Sequence, residues 1–362
     1  MMLRRPPSER PEPPARATIA DVARAAGVHP STVSRALNPA TRDMVTGPVA
    51  ERVAEAAAQL GWRPSALAAG LRTRRSRTIG ILVPDLVNPV FPPIVRAAEE
   101  RLAEAGYATL IANTDMDPAR EALLVERMAA HVVDGLMLAS ASRGSRAADL
   151  CEQWRIPRIL INRRLAGSGV SAVVNDDRHG MALAVRHLVE LGHRRIAHLA
   201  GPPGVATALD RQTGFRSALH AAGLDSEGAP IVSADAYTRA AGRRAMEQLL
   251  EAHGGFTALA VANDMLCLGV YDALEAAGIE IGAAMSVTGF NDMPFVDRIC
   301  PPLTTVRIQH AEMGRLGAEL LLAEMADPTL PRQDILLQPE LVVRRSTAPP
   351  RGSEPGRQKQ TG

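Results

Sequence analysis

Lysine is nearly absent from this chain: Lys359 is the only one in 362 residues, and arginine supplies every other basic side chain. By itself that assigns no chemistry. Cysteine is almost as scarce. Cys151, Cys267 and Cys300 are scattered, and Cys267 and Cys300 sit in apolar or proline-rich surroundings. Buried, reduced thiols are therefore expected in place of disulfides or metal ligands. No apolar run approaches the roughly 20 residues needed to cross a bilayer. The opening MMLRRPPSERPEPPAR is basic but lacks the apolar segment of a secretion signal, so a cytoplasmic protein is expected. Catalytic signatures are missing too. His187, His193 and His198 match no zinc spacing. Asp176 and Asp177 are adjacent and would point to different faces of any regular element, a poor acid/base pair. Gly201-Pro-Pro-Gly204 lacks the lysine and serine of a phosphate loop, and no nucleophile elbow occurs. No enzyme, metal or cofactor is expected.

What the chain does have is size and a polarised charge. With 46% apolar residues it can bury a large core and form more than one domain. The net charge of +2 conceals an asymmetry: residues 1–78 hold 13 arginines against 6 acids, and the remainder is net acidic. A basic head on an acidic body suits a nucleic-acid-binding module joined to a sensor that does not itself adhere to DNA.

Within the head, TIADVARAAGVHPSTVSRALN (18–38) carries two short helical patterns. Thr18 with Asp21 three residues on is a capping-box start. Ile19, Val22, Ala23 and Ala26 recur at helical spacing, and Gly27 supplies the left-handed residue that ends the helix. Pro30 opens the second helix, where no backbone donor is needed. Val33, Ala36 and Leu37 face the partner helix, leaving Ser31, Thr32, Ser34 and Arg35 outward. Short hydroxyls and an arginine on the second of two crossed helices suit a DNA major groove, although this pattern alone serves equally for a surface helical hairpin. A third helix is predicted over 47–60, stopped by Gly61. Trp62-Arg63-Pro64, an alanine-rich stretch (65–71) and the basic run Arg72, Arg74, Arg75, Arg77 follow.

Beyond residue 78 the pattern alternates strand and helix, restarting after Asn175. Two doubly wound parallel-sheet α/β lobes with a cleft between them are expected. TIADVARAAGV, STVSRALN, LGWRPSALAAGLR, LGHRRIAHLAGP, ALAVANDMLCLG, and VTGFNDMPF with PPLTTV occur in this order. In these motifs the chain resembles, over roughly residues 17–347, the lactose-repressor family of bacterial transcription regulators. The resemblance implies a helix-turn-helix headpiece (17–63), a hinge helix and linker (64–77) and a two-lobed, periplasmic-binding-protein-like body (78–347); the arm (1–16) and tail (348–362), rich in proline and charge or glycine, are expected to be disordered. It places the first lobe at about 78–174 and 303–335 and the second at 175–302 and 336–347, with Leu303–Val306 crossing back to complete the first lobe.

The resemblance also implies roles. Pro30, Ser31 and Arg35 would read base edges of a double-stranded, pseudo-palindromic operator, and Thr18, Thr32, Ser34 and Asn38 would bind phosphate. Leu71 would wedge into the minor groove from a hinge that orders only on DNA, with Arg72 on phosphate. His29 stands where serine or threonine usually caps the second helix, which weakens the expected cap, and Val49-Ala50 stand where a phosphate contact is usual. In the body, Asp85, Asn88, Phe91, Asn162, Arg211, Asn263 and Asn291 match effector positions. Asn162 and Asn291 stand where sugar-binding relatives often carry aspartate, so a small carboxylate or phosphate is admitted beside a sugar or polyol. The tail, with prolines and no leucine heptad, predicts a homodimer. A repressor whose operator affinity is set by an effector follows. A two-lobed body alone would also suit a solute-binding protein of a transport system, and DNA binding separates the two readings.

Overall fold

The computed structural model describes residues 17–38, 41–62, 75–130, 133–140, 145–165 and 167–351. They fall into two compact units divided after Arg74. The predicted hinge helix, with Leu71 and Arg72, lies outside the described residues, as do 1–16 and 352–362.

The first unit consists of α1 (Ile19–Ala26), α2 (Pro30–Ala36) and α3 (Gly47–Gln59). Their facing stripes meet in one small core built on Val22, Ala26, Val33, Ala36, Val53 and Ala57, with Trp62 packed against it. Gly27 takes φ +64°, and the following Val28 N–H bonds back to the Ala23 carbonyl at 3.0 Å. That left-handed cap turns the chain sharply enough to bring α2 across α1.

The second unit holds two six-stranded sheets. One contains β1 (Thr78–Val83), β2 (Ala108–Asn113), β3 (Gly135–Leu138), β4 (Arg158–Ile161) and β5 (Ala172–Asn175). Between these strands lie α4 (Phe91–Glu104), α5 (Pro118–Ala130) and α6 (Ala147–Gln153). The other sheet contains β6 (Ile196–Ala200), β7 (Ile231–Ser233), β8 (Ala258–Val261), β9 (Ser286–Asn291) and β10 (Thr304–Arg307). Its helices are α7 (Asp177–Glu190), α8 (Ala206–Ala221), α9 (Arg239–Ala252) and α10 (Asp264–Ala276). Near-continuous burial of β1, β3 to β6, β8 and β9 reflects coverage on both faces, the mark of parallel strands. Helix pairs meet at glycines: a Cβ on Gly214 of α8 would stand 2.4 Å from the Arg178 carbonyl oxygen on α7. No helix among the described residues is long and apolar enough to cross a membrane.

The lobe boundaries depart from expectation. β10 pairs parallel with β9, so Leu303–Val306 stays in the second lobe. The crossing comes immediately afterwards, into α11 (His310–Ala326), which packs on α4 and on β3 and β4 of the first lobe. β11 (Asp334–Leu337) then completes the first sheet beside β5, and β12 (Glu340–Val342) returns antiparallel to β10. Parallel strands make similar sequence patterns in either lobe, so only the hydrogen-bond partner decides membership. Two smaller expectations also change. Residues 348–351, assigned to the disordered tail, are held to the second lobe: Ala348 N–H donates to Ser286 Oγ at 3.0 Å, and Arg351 pairs with Glu280 at 3.2 Å. Cys151 and Cys267 are buried as predicted, but Cys300 is exposed.

Candidate functional site

Two groups of residues were singled out by sequence, and each lies within one unit. In the first unit, the Thr18 side chain accepts from Asp21 N–H, and Asp21 accepts from Thr18 N–H at 2.9 Å. The Thr18 hydroxyl donates to the same carboxylate at 2.7 Å, and these bonds hold the Asp21 carboxyl below its ordinary pKa. The expected capping box is therefore present, and it occupies the polar groups of Thr18. The cap of α2 corrects the expectation of a weakened start: His29 Nδ1 accepts from Ser31 N–H at 3.3 Å, with Ser31 Oγ 2.8 Å from the same nitrogen. An imidazole reaches the orphan amide that a hydroxyl would otherwise satisfy. Pro30, Ser31 and Arg35 are exposed and Thr32, Ser34 and Asn38 half-buried, whereas Val33 and Ala36 are in the core. Among the described residues the Arg35 guanidinium enters no ion pair. Ala50, at the position of the missing phosphate contact, is 2% exposed.

In the second unit, the predicted effector residues converge. All seven line one cavity of about 220 Å³ between the lobes. They come from loops at the carboxyl ends of β1, β4, β8 and β9, with Phe91 opening α4 and Arg211 on α8. This is where doubly wound sheets place their ligands. Asp85 and Asn88 shape the loop after β1, accepting from Val87 N–H (2.9 Å) and Val90 N–H (3.1 Å). Asn263 caps α10, its Oδ1 accepting from Leu266 N–H at 2.9 Å. Phe91 is 3% exposed and belongs as much to the core as to the cavity wall.

Arg211 is less available than its sequence position suggests. Its Nε donates to Asp177 Oδ1 at 2.8 Å, Nη1 to the Ala262 carbonyl at 2.6 Å and Nη2 to Asn291 Oδ1 at 3.3 Å. The guanidinium also lies over the Phe290 ring, 3.8 Å from its centroid. Burial pushes the Asp177 pKa up, against the opposing pull of the Arg211 charge. Asp177, set aside as half of an unpromising acid pair, is thus the counter-ion of the cleft arginine. Its position, first in α7, gave no signal, because its partner lies 34 residues on.

Three more residues bear on the cleft and escaped sequence reasoning. Arg163, beside Asn162, and Tyr237 both line the cavity. Asp292 follows Asn291, whose φ of +112° is strained for a residue with a side chain. Arg307 Nε and Arg344 Nη2 each donate to Asp292 at 2.7 Å, and Arg307 also bonds Glu340 at 3.0 Å. Arg307 ends β10 just before the crossing, while Glu340 and Arg344 follow the return. The Asp292 clamp therefore ties the strained cleft residue to the segments that join the lobes. Below it, buried Asp264 accepts from Met293 N–H (2.9 Å) and Thr305 Oγ1 (2.6 Å), and burial pushes its pKa up to about 7.

A larger depression of about 600 Å³ lies beside Gly167–Val170, Arg178 and Arg332. Of its three arginines, Arg178 and Arg332 are already paired with Asp210 and Glu324, and the exposed Arg164 enters no ion pair among the described residues. The residues singled out by sequence converge on the smaller cavity, which is the better binding candidate.

Comparison with known proteins matches residues 18–65 to the model for bacterial regulatory proteins of the lacI family. Residues 185–347 match the periplasmic binding protein-like domain. The ribose operon repressor of Escherichia coli (strain K12) is 32% identical over 332 residues, covering 91% of this chain and 99% of the repressor. The crystal structure of the lac repressor dimer bound to operator and the anti-inducer ONPF superposes with a TM-score of 0.81 at 27% identity, covering 92% of this chain and 100% of that one. A lacI-family regulator from Enterococcus faecium with bound ribose gives a TM-score of 0.67 at 30% identity, covering 75% of this chain and 99% of that one.

Proposed function

The chain belongs to the lacI family of bacterial regulatory proteins, and from that membership we propose an operator-binding transcriptional repressor whose grip on DNA is set by a sugar in the interlobe cleft. It works as a dimer on double-stranded, pseudo-palindromic DNA, two-fold symmetry in the protein being mirrored in the site. The observation that carries this reading is the presence, in one chain, of an exposed α2 face and of a cavity at the carboxyl ends of two doubly wound sheets. A solute-binding protein would need only the second.

In this reading α2 enters the major groove. Arg35 donates two hydrogen bonds to one guanine while Pro30 and Ser31 contact neighbouring base edges. Thr32, Ser34 and Asn38 set the register on phosphate, and Thr18 joins them when its hydroxyl turns from Asp21. Leu71 is assigned the minor-groove wedge and Arg72 a phosphate contact. DNA as the partner places the protein in the cytoplasm, and the regulator has no catalytic step. In the cleft, Asp85, Asn88, Asn162, Asn263 and Asn291 orient the sugar and Phe91 forms an apolar wall. The cavity lies below the roughly 300–1,000 Å³ of sites for drug-sized ligands, which favours a monosaccharide. Sugar binding shifts the lobes relative to each other and thereby the affinity for operator.

Fluorescence anisotropy with a short palindromic operator tests the reading. Binding should weaken steeply with salt. Arg35→Ala should cost about 1–3 kcal/mol and relax discrimination at a single base pair. Sugar binding by the intact chain without salt-sensitive DNA binding would return the two-lobed body to the solute-binding class.

A further inference from the structure

Among the described residues that line the cleft, Arg163 is the one cation without an ion pair, and Asp85 the one carboxylate without one. Arg163 is 4% exposed, and its Nε has no hydrogen-bond partner among the described residues. Nη1 makes a long contact of 3.4 Å to the Ser140 carbonyl, and Nη2 bonds the neutral Met116 Sδ at 3.4 Å. No ion pair among the described residues includes Arg163, and the undescribed internal residues of the body (131–132, 141–144 and 166) contain no Asp or Glu.

Neighbouring carboxylates are already engaged. Asp177 is bound to Arg211, Asp115 to Arg120 and Asp235 to Arg244. Glu121 stands beyond salt-bridge distance, with its two oxygens taken by the Ser140 and Ser145 hydroxyls. Asp85 spends Oδ1 on its own loop. On the second lobe the Tyr237 hydroxyl is buried without a partner. The side-chain nitrogens of Asn162, Asn263 and Asn291 likewise donate to nothing among the described residues. A buried guanidinium without a counter-ion is costly, and burial accordingly pushes the Arg163 pKa down. A ligand that brings negative charge and acceptor oxygens removes that cost, whereas a neutral sugar leaves the charge uncompensated.

We propose that the cleft selects an acidic sugar, a monosaccharide bearing a carboxylate or phosphate that pairs with Arg163 while the cleft amides and Tyr237 bind its hydroxyls. This rests on the sugar-regulator reading and deepens it by naming the ligand's charge. Arg163 is then the residue that sets specificity, and Arg211, its charge already paired with Asp177, orients Asn291.

Isothermal titration of the full chain with D-glucuronate, D-glucose 6-phosphate and D-ribose 5-phosphate, each against its neutral parent sugar, tests the proposal. At least one anion should bind about tenfold or more tighter than its parent, and the arm that responds tells carboxylate from phosphate. Arg163→Gln should abolish the preference without lowering the melting temperature, because it removes an unpaired buried charge. Arg163→Lys, which keeps the charge, should restore part of it. A neutral parent that binds as tightly as every anion, or a preference that survives in Arg163→Gln, overturns the acidic assignment and leaves the sugar-regulator reading standing. If no sugar of either kind binds or alters operator affinity, both fall.

Discussion

Replacing Asp292 by Asn tests whether the cleft is mechanically tied to the segments that join the lobes. The substitution keeps the size and one acceptor oxygen but removes the charge that holds two arginines. The two arms differ in environment: the side chains of Asp292 and Arg344 are 9% and 17% exposed, whereas Arg307 is 45% exposed. A hydrogen bond to a charged group in the drier arm is worth about 1.5–3 kcal/mol. The Arg307 arm, screened by water, contributes about 0.2–1 kcal/mol. Arg344 keeps its 2.8 Å bond to the Leu303 carbonyl after the change, so the expected loss is about 2 kcal/mol, carried mainly by Arg344. Urea denaturation of the single variants and of the doubles with Arg344→Met and Arg307→Met should give coupling energies in that order. Asn291, no longer held at φ +112° by its neighbour, should relax, and sugar affinity should fall by several-fold alongside stability. A smaller coupling for Asp292–Arg344 than for Asp292–Arg307, or sugar affinity unchanged despite lost stability, would refute the clamp as a link between cleft and crossings.

Three further outcomes are expected. Asp177→Asn strands the Arg211 charge in a site where both side chains are nearly fully buried (4% and 6% exposed), and should cost about 3–5 kcal/mol in chemical denaturation. Gly214→Ala would put a Cβ 2.4 Å from a backbone oxygen of α7, and the forced separation of α7 and α8 should cost about 1–3 kcal/mol, read as a lower urea midpoint. Stability should also depend on pH through Asp264. Its pKa is raised to about 7 from 3.8, so between those values the folded state binds the extra proton. The group's stabilising contribution is full below the lower value and is lost as pH rises through about 7. Asp264→Asn should therefore narrow the difference between urea midpoints at pH 5 and pH 8, and an unchanged difference would remove Asp264 from the account.

The headpiece was legible because its determinants are local. The Thr18–Asp21 capping box, the left-handed Gly27 and Pro30 at the start of α2 each act within a few residues. The helical spacing of Val22, Ala26, Val33 and Ala36 announces the shared core. Local periodicity likewise gave the alternation of strands and helices, and the motifs placed seven residues that do line one cavity. The chain was less informative wherever a side chain's partner lies far along it. Lobe membership of Leu303–Val306 is a matter of which strand β10 bonds to, and the charge of Arg211 is cancelled by Asp177.

The sequence by itself determined the family, the two kinds of module and the exposed face of α2, because caps, turns and hydrophobic periods are short-range physics. Only the tertiary structure decided the electrostatics of the cleft. Folding pairs Asp177 with Arg211 and Asp292 with Arg344, and leaves Arg163 buried without an ion pair among the described residues. The net charge offered to a ligand depends on which opposite charges the fold brings within bonding distance. No count along the chain contains that quantity.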